Sequence, residues 1–208
     1  MCGRLENTLT MTDYQSLFNV TPCLGPTAAP YGLGPLFDLE PLPDIRPTDR
    51  VPIILPGNDK LEMKLARWGF STPAAASRQL SLFNARDDKL EQSPIWCEGF
   101  FSRRCLVPAT AFFEWSGAKG AKVKHRIGLS SGRGFGMAGI WQTTDDGLEF
   151  TVITTTPNEV VAELHDRMPV IVKPRDYEHW LADVPDLKDL RAILRAYPSI
   201  KTQSKTGL

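Results

Sequence analysis

The sequence predicts an α+β domain, mainly β, with a strongly curved, barrel-like sheet flanked by helices. Three observations lead there. Short apolar or alternating runs recur along the chain. Turn pairs separate several of them, and the helix-like segments are brief and scattered instead of alternating with strands.

In chain order, residues 12–19 predict a short helix capped by Thr12 or Asp13, with Tyr14, Leu17 and Phe18 on one face. The stretch 22–47 is rich in Pro and Gly. Pro lacks a backbone donor and Gly widens backbone choice, so a long irregular surface loop is expected. It is too apolar for a disordered linker, which keeps 1–208 a single domain. VPIIL at 51–55 reads as a buried strand. Residues 61–67 alternate, with Leu61, Met63 and Leu65 opposite Glu62 and Lys64, the mark of a half-exposed strand. An apolar run follows at 105–113, then strands at 123–129, 135–142 and 148–155. Ser131-Gly132 and Asp146-Gly147 lie between those three and predict hairpins. Pro157 opens a helix over 157–164, since Pro is tolerated in a first turn. Residues 167–172 return to a strand, and 174–182 and 186–197 read as helices. The last of these puts Leu187, Leu190, Ile193, Leu194 and Tyr197 on one face. The tail 201–208 is expected to fray.

Composition excludes several classes of function. The 208 residues suit one domain of the usual ~100–200 residues, and 42% hydrophobic content supplies a core. Lys plus Arg and Asp plus Glu both number 24, so any nucleic-acid surface is a local patch and not a global field. No apolar run approaches the ~18–20 residues of a membrane span, and MCGRLENTLTM lacks a signal-peptide layout. A cytoplasmic protein without a membrane partner is expected.

The cysteines are Cys2, Cys23, Cys97 and Cys105, with no CxxC pair, and the histidines are His125, His165 and His179. Their spacing supports neither a tetrahedral zinc site nor a disulfide framework. No metal or organic cofactor is expected. Cys23, Cys97 and Cys105 read as buried small hydrophobes.

Cys2 differs by position. Initiator Met is commonly removed before small residues, which would leave Cys2 with a free α-amine beside its thiol. An α-amine titrates near ~7.7–8.0, so a useful fraction is nucleophilic at neutral pH, unlike a lysine amine near ~10.4. A 1,2-aminothiol captures aldehydes: the amine forms a Schiff base and the thiol closes a thiazolidine.

Four segments carry a resemblance: Met1-Cys2-Gly3-Arg4; Phe83-Asn84-Ala85-Arg86; Arg103-Arg104-Cys105-Leu106-Val107-Pro108 running on to Phe112-Phe113-Glu114-Trp115; and His165-Asp166-Arg167-Met168-Pro169-Val170. Weaker echoes are Arg46-Pro47-Thr48, Arg67-Trp68-Gly69-Phe70, Met137 to Trp141 and Thr151 to Thr155. In this order they span nearly the whole chain, which resembles the SRAP (SOS response-associated peptidase) family of abasic-site processing proteins. The resemblance implies a barrel-like sheet flanked by helices, a mature chain that starts at cysteine, and crosslinking to abasic sites in single-stranded DNA within the DNA damage response. It also implies a Met1-removing peptidase activity and association with the nucleoid during repair; the Schiff-base stage itself leaves room for a weak lyase side reaction. Three departures stand out: Asp87-Asp88-Lys89 follow Arg86, Thr110-Ala111 precede the aromatic-Glu-Trp segment, and the loop before Pro47 is unusual in length and composition.

Cys2, Asn84, Glu114 and His165 are the candidate catalytic residues. Glu114 is flanked by aromatics, which raises a carboxyl pKa, and by resemblance it serves the amine-to-aldehyde step. His165 is a proton shuttle for ring opening and carbinolamine dehydration. Asn84 offers two donors and an acceptor to hold Cys2 without altering local charge. Arg4 and Arg86 are candidate phosphate clamps. Trp68, Phe70 and Trp115 are candidates for stacking on unpaired bases, and Pro47 and Trp68 echo family DNA-binding positions. Residues 101–140 hold seven basic side chains against Glu114 alone. A monomer is expected. The rival readings are an N-terminal-nucleophile glutaminase, which also begins Met-Cys-Gly, a cysteine peptidase using Cys2 and His165, and a non-catalytic single-strand binder.

Overall fold

The structure, a computed structural model, describes residues 2–20, 40–58, 60–72, 82–118, 120–199 and 202–206. Two sheets organise it. The larger contains β3 (Arg50–Pro56), β4 (Leu61–Trp68), β5 (Asn84–Arg86), β6 (Arg104–Ala109), β9 (Phe135–Thr144), β10 (Gly147–Thr155), β11 (Met168–Pro169) and β12 (Ile171–Val172). Strands β10, β4, β3, β6 and β9 form a continuous path, and β9 pairs back onto β10, so these five close a barrel. The smaller sheet is antiparallel, in the order β13 (Thr202–Thr206), β8 (Val123–Leu129), β7 (Ala111–Ser116), β1 (Leu5–Asn7), β2 (Leu42–Ile45). This is the α+β, barrel-like architecture the sequence predicts.

Two cores account for the patterns. Ile53 packs with Leu5, Phe112, Ile127 and Phe150 between barrel and smaller sheet, while its neighbour Ile54 packs with Tyr14, Phe18, Phe100 and Trp180 beneath the helices. Strand β3 is therefore buried on both faces, and it reads as an unbroken apolar run. In β4 the odd residues Leu61 and Met63 meet the helix-side core while the even residues Ala66 and Trp68 meet the other. At Gly139, where β9 runs between β6 and β10, a Cβ would lie 2.8 Å from Cys105 Sγ, so only glycine lets the strands close there.

Helix α1 (Met11–Phe18) is capped by Thr10, not by Thr12 or Asp13. Asp13 instead returns a carboxylate to the Thr10 backbone N–H, completing a capping box. The others are α2 (Cys97–Ser102), α3 (Glu159–Ala162), α4 (Tyr177–Leu181) and α5 (Leu187–Ile193). Leu190 is the buried anchor of α5, with Leu187 and Ile193 packed against the same core. Helix α3 is shorter than 157–164 and starts at its Asn158 cap, while a 3-10 turn at Pro174–Asp176 precedes α4.

Four expectations are corrected. The run 105–113 is two strands, β6 and β7, in different sheets. Strands β8 and β9 do not form a hairpin: the turn at Ser131 leads from one sheet to the other, whereas Asp146-Gly147 does close the β9–β10 hairpin. Within 22–47, Leu42–Ile45 is strand β2, and most of the rest lies outside the described residues. The tail does not fray at 202–206, because β13 pairs with β8 over its whole length. Cys105 is buried as expected, Cys97 is only partly so, and Cys23 lies outside the described residues. No helix among the described residues is long and apolar enough to cross a membrane.

Candidate functional site

Pairing of β1 with β7 places the N-terminal segment. Leu5 lies opposite Phe112, and the Phe113 N–H donates to the Arg4 carbonyl at 3.0 Å, so the register runs Cys2 and Gly3 toward Glu114 and Trp115. From the other side comes β5, parallel to β10 with Asn84 opposite Val152. The Asn84 Nδ2 donates to the Cys2 carbonyl oxygen at 2.8 Å. That bond fixes which end of the amide is nitrogen and leaves Oδ1 a buried acceptor with no partner among the described residues.

Cys2 is wholly buried, not the open thiol that a terminal nucleophile suggests. Burial, and then the nearby Glu114 carboxylate, push its thiol pKa well up, with the Arg4 backbone N–H pulling the other way. Glu114 is itself 3% exposed, and burial raises its carboxyl pKa, opposed by the charge of His165. Both groups therefore hold their protons to higher pH than they would in water.

His165 sits in the turn after α3. Its Nδ1 is 3.0 Å from the Arg167 backbone N–H, which donates to it, and 2.8 Å from the exposed Asp166 carboxylate. These contacts need opposite protonation at one nitrogen. The backbone bond belongs to the neutral ring with its proton on Nε2, whereas the Asp166 contact needs a proton on Nδ1, as in the imidazolium or the other neutral tautomer. Arg167, almost buried, pairs with Asp87 Oδ1 at 2.6 Å and also donates to the Thr154 carbonyl. Asp87 Oδ2 accepts from Thr155 Oγ1 at 2.7 Å. No local sequence signal reveals this link between segments 80 residues apart.

Arg4 donates to Asp44 and lies over the half-buried Trp115 ring at 5.8 Å. Arg46 shares the same Asp44 carboxylate at 2.8 Å, so two guanidinium groups face one acid and a positive charge remains. Arg86 is exposed and paired bidentately with Asp88, both bonds 2.9 Å. Pro47 is half-buried in a turn whose next residue, Thr48, has φ 85°.

Trp68 and Phe70 do not offer rings to bases. Trp68 is 0% exposed, stacks on Phe150 at 6.3 Å and donates Nε1–H to the Phe83 carbonyl at 2.8 Å. Phe70 is buried against Trp96 at 5.4 Å. The basic bias of 101–140 is also largely spoken for: Arg103 pairs with Glu98, Arg126 with Glu6, and Lys124 lies 3.9 Å over Phe113. Arg104 is buried on the carbonyls of Phe100, Trp180 and Ala182. The structure thus gathers Cys2, Asn84 and Glu114, with His165 within electrostatic reach, and edges them with Arg4 and Trp115.

Known proteins share this chain's sequence and shape. The family model described as SOS response associated peptidase (SRAP) matches residues 1–206. The chain is 30% identical to the abasic site processing protein YoqW of Bacillus subtilis, over 87% of this chain and 80% of that one. It is 25% identical to the abasic site processing protein HMCES of Xenopus tropicalis, over 93% of this chain and 70% of that one. Among solved structures, a protein from Bordetella bronchiseptica superposes with a TM-score of 0.79 at 21% identity, covering 100% of both chains.

Proposed function

The chain belongs to the SOS response associated peptidase (SRAP) family, and from that premise we propose that it processes abasic sites in single-stranded DNA by covalent capture through Cys2. The observation that carries this reading is the grip of Asn84 on the Cys2 carbonyl beside a carboxyl, Glu114, whose pKa burial raises.

The chemistry begins with Met1 removed, a step this site itself performs on its own chain. The ring-opened abasic sugar presents an aldehyde. The Cys2 α-amine, oriented by Asn84 and with Asn84 Oδ1 free to accept its N–H, adds to the carbonyl carbon. Protonated Glu114 donates to the departing hydroxyl, water leaves and an imine forms. His165 moves protons during ring opening and dehydration. The Cys2 thiol, kept protonated by burial, then adds its sulfur to the imine carbon and its proton reaches the nitrogen, closing the thiazolidine. Because the thiol is held neutral, the amine attacks first. The imine also allows strand scission by elimination, a minor lyase path. Arg4 and Arg86 hold flanking phosphates, and Trp115 stacks on an unpaired base.

The test is to incubate the protein with single-stranded DNA bearing one abasic site, then run a denaturing gel and measure intact mass. A heat-stable shifted species with the mass of Met-cleaved protein plus DNA, less one water, is expected, and Cys2→Ser should lose its stable form. A mature N-terminus with no shifted species overturns capture and favours a glutaminase or a peptidase acting in trans.

A further inference from the structure

We propose that Asp87 is a positioning residue for this site: through Arg167 it fixes both the place and the tautomer of His165 relative to Asn84 and Cys2. The inference rests on the catalytic reading of His165 given above.

A single chain of contacts supports it. Asp87 directly follows β5, the strand that presents Asn84. Its Oδ1 holds the Arg167 guanidinium at 2.6 Å, and its Oδ2 accepts from Thr155 Oγ1 at the end of β10. Arg167 is 7% exposed, and it also donates to the Thr154 carbonyl, on the same strand. Its backbone N–H donates to His165 Nδ1 at 3.0 Å. The carboxylate therefore anchors the turn that carries the imidazole to the strand that carries Asn84, and the anchored backbone N–H keeps Nδ1 an acceptor and the neutral ring's proton on Nε2. Fixing which ring nitrogen bears the proton decides which can deliver it. Among the described residues, the Asp166 carboxylate contacts His165 and the buried Glu114 carboxyl interacts with its charge. A buried guanidinium robbed of its one carboxylate partner among the described residues also has reason to move, since an unpaired buried charge is strongly disfavoured.

Two readouts separate positioning from mere support. The first is independent of DNA: the nitrogen chemical shifts of His165 titrated by NMR. The neutral wild-type ring should show an unprotonated Nδ1; Asp87→Asn should give mixed tautomers and a displaced titration, and Asp87→Glu should restore the wild-type pattern. The second is the crosslinking rate against pH. Asp87→Asn should be at least tenfold slower with an altered profile, at unchanged affinity for intact single-stranded DNA. Asp87→Ala is exposed to simple unfolding, so it is paired with Arg167→Met, which removes both charges. The double variant should regain melting temperature but not rate. Wild-type His165 shifts in Asp87→Asn, or full rate in the double variant, overturn the proposal. A wild-type protein that never crosslinks overturns capture instead and leaves the NMR result to decide the role of Asp87.

Discussion

The Asn84 side-chain amide donates to the Cys2 carbonyl oxygen across 2.8 Å, joining residues 82 positions apart and crossing from the larger sheet to the N-terminal segment. If this bond orients the nucleophile, Asn84→Ala should slow crosslinking about ten- to a hundredfold, the span of a lost hydrogen bond that strands a buried acceptor. Single-turnover gel assays measure it. A rate within twofold of wild type would remove Asn84 from the mechanism.

Glu114 should show its burial in stability. Its folded-state pKa is raised above the unfolded value, so the unfolded chain releases the proton first as pH climbs. Stability is then full below the unfolded pKa and falls as pH rises through the folded one. Glu114→Gln removes that penalty. Melting curves should coincide at pH 4 and diverge by pH 8, with the variant melting a few degrees higher, ~1 kcal/mol being ~2–4 °C in a chain of this size. Crosslinking should fall even as stability rises. Equal melting temperatures at both pH values would mean that the folded-state pKa of Glu114 is not raised.

Much of this was legible in the sequence, for identifiable reasons. β8 reads correctly at 123–129 and β3 within one residue of each end, the latter because an unbroken apolar run records burial on both faces. Pairing was less legible: a Ser-Gly turn marks a change of direction, not which sheet receives the next strand. The clustering was legible where residues sit in motifs: Cys2, Asn84 and Glu114 come together, with His165 within electrostatic reach. It was illegible where one residue acts on another far along the chain, as Asp87 does on Arg167 or Asp44 on Arg4. Aromatics misled because a tryptophan beside glycine reads alike whether its ring faces solvent or, like Trp68, the core.

That distinction makes a paired prediction. Trp68→Ala should cost ~3–5 kcal/mol of folding stability, as a large buried ring leaves a cavity and the Phe83 carbonyl loses its donor. Trp115→Ala removes a half-buried ring that holds Arg4 by a cation–π contact of ~0.5–1 kcal/mol, so stability should change little. Affinity for single-stranded DNA should drop by the ~1–3 kcal/mol of one stacked base. Denaturant melts and fluorescence anisotropy on both variants check the split. Strong destabilisation by Trp115→Ala with unchanged DNA affinity would make both rings structural.

Thr48 makes the last prediction. The Asp49 N–H donates to the Arg46 carbonyl at 3.0 Å, closing a turn with Pro47 second and Thr48 third at φ 85°. That is the geometry of a type II turn, whose third position calls for glycine. A β-branched residue there is strained by ~1–3 kcal/mol and persists only because its surroundings hold it. The holders are visible: Thr48 N–H donates to the Trp68 carbonyl at 2.8 Å, Trp68 N–H to the Asp49 carbonyl at 2.9 Å, and Arg46 N–H to the Asp49 carboxylate at 2.8 Å. Glycine would relieve the strain at an unfolded-state entropy cost of ~0.5–1 kcal/mol, so Thr48→Gly should raise stability by about 1 kcal/mol. The strained turn presents Pro47 next to Arg46, which shares Asp44 with Arg4, so loosening it should weaken binding to single-stranded DNA while the melting temperature rises. A fall in melting temperature would show that the Thr48 side chain contributes more than its backbone strain costs. A rise without any loss of DNA binding would separate the turn from the DNA surface.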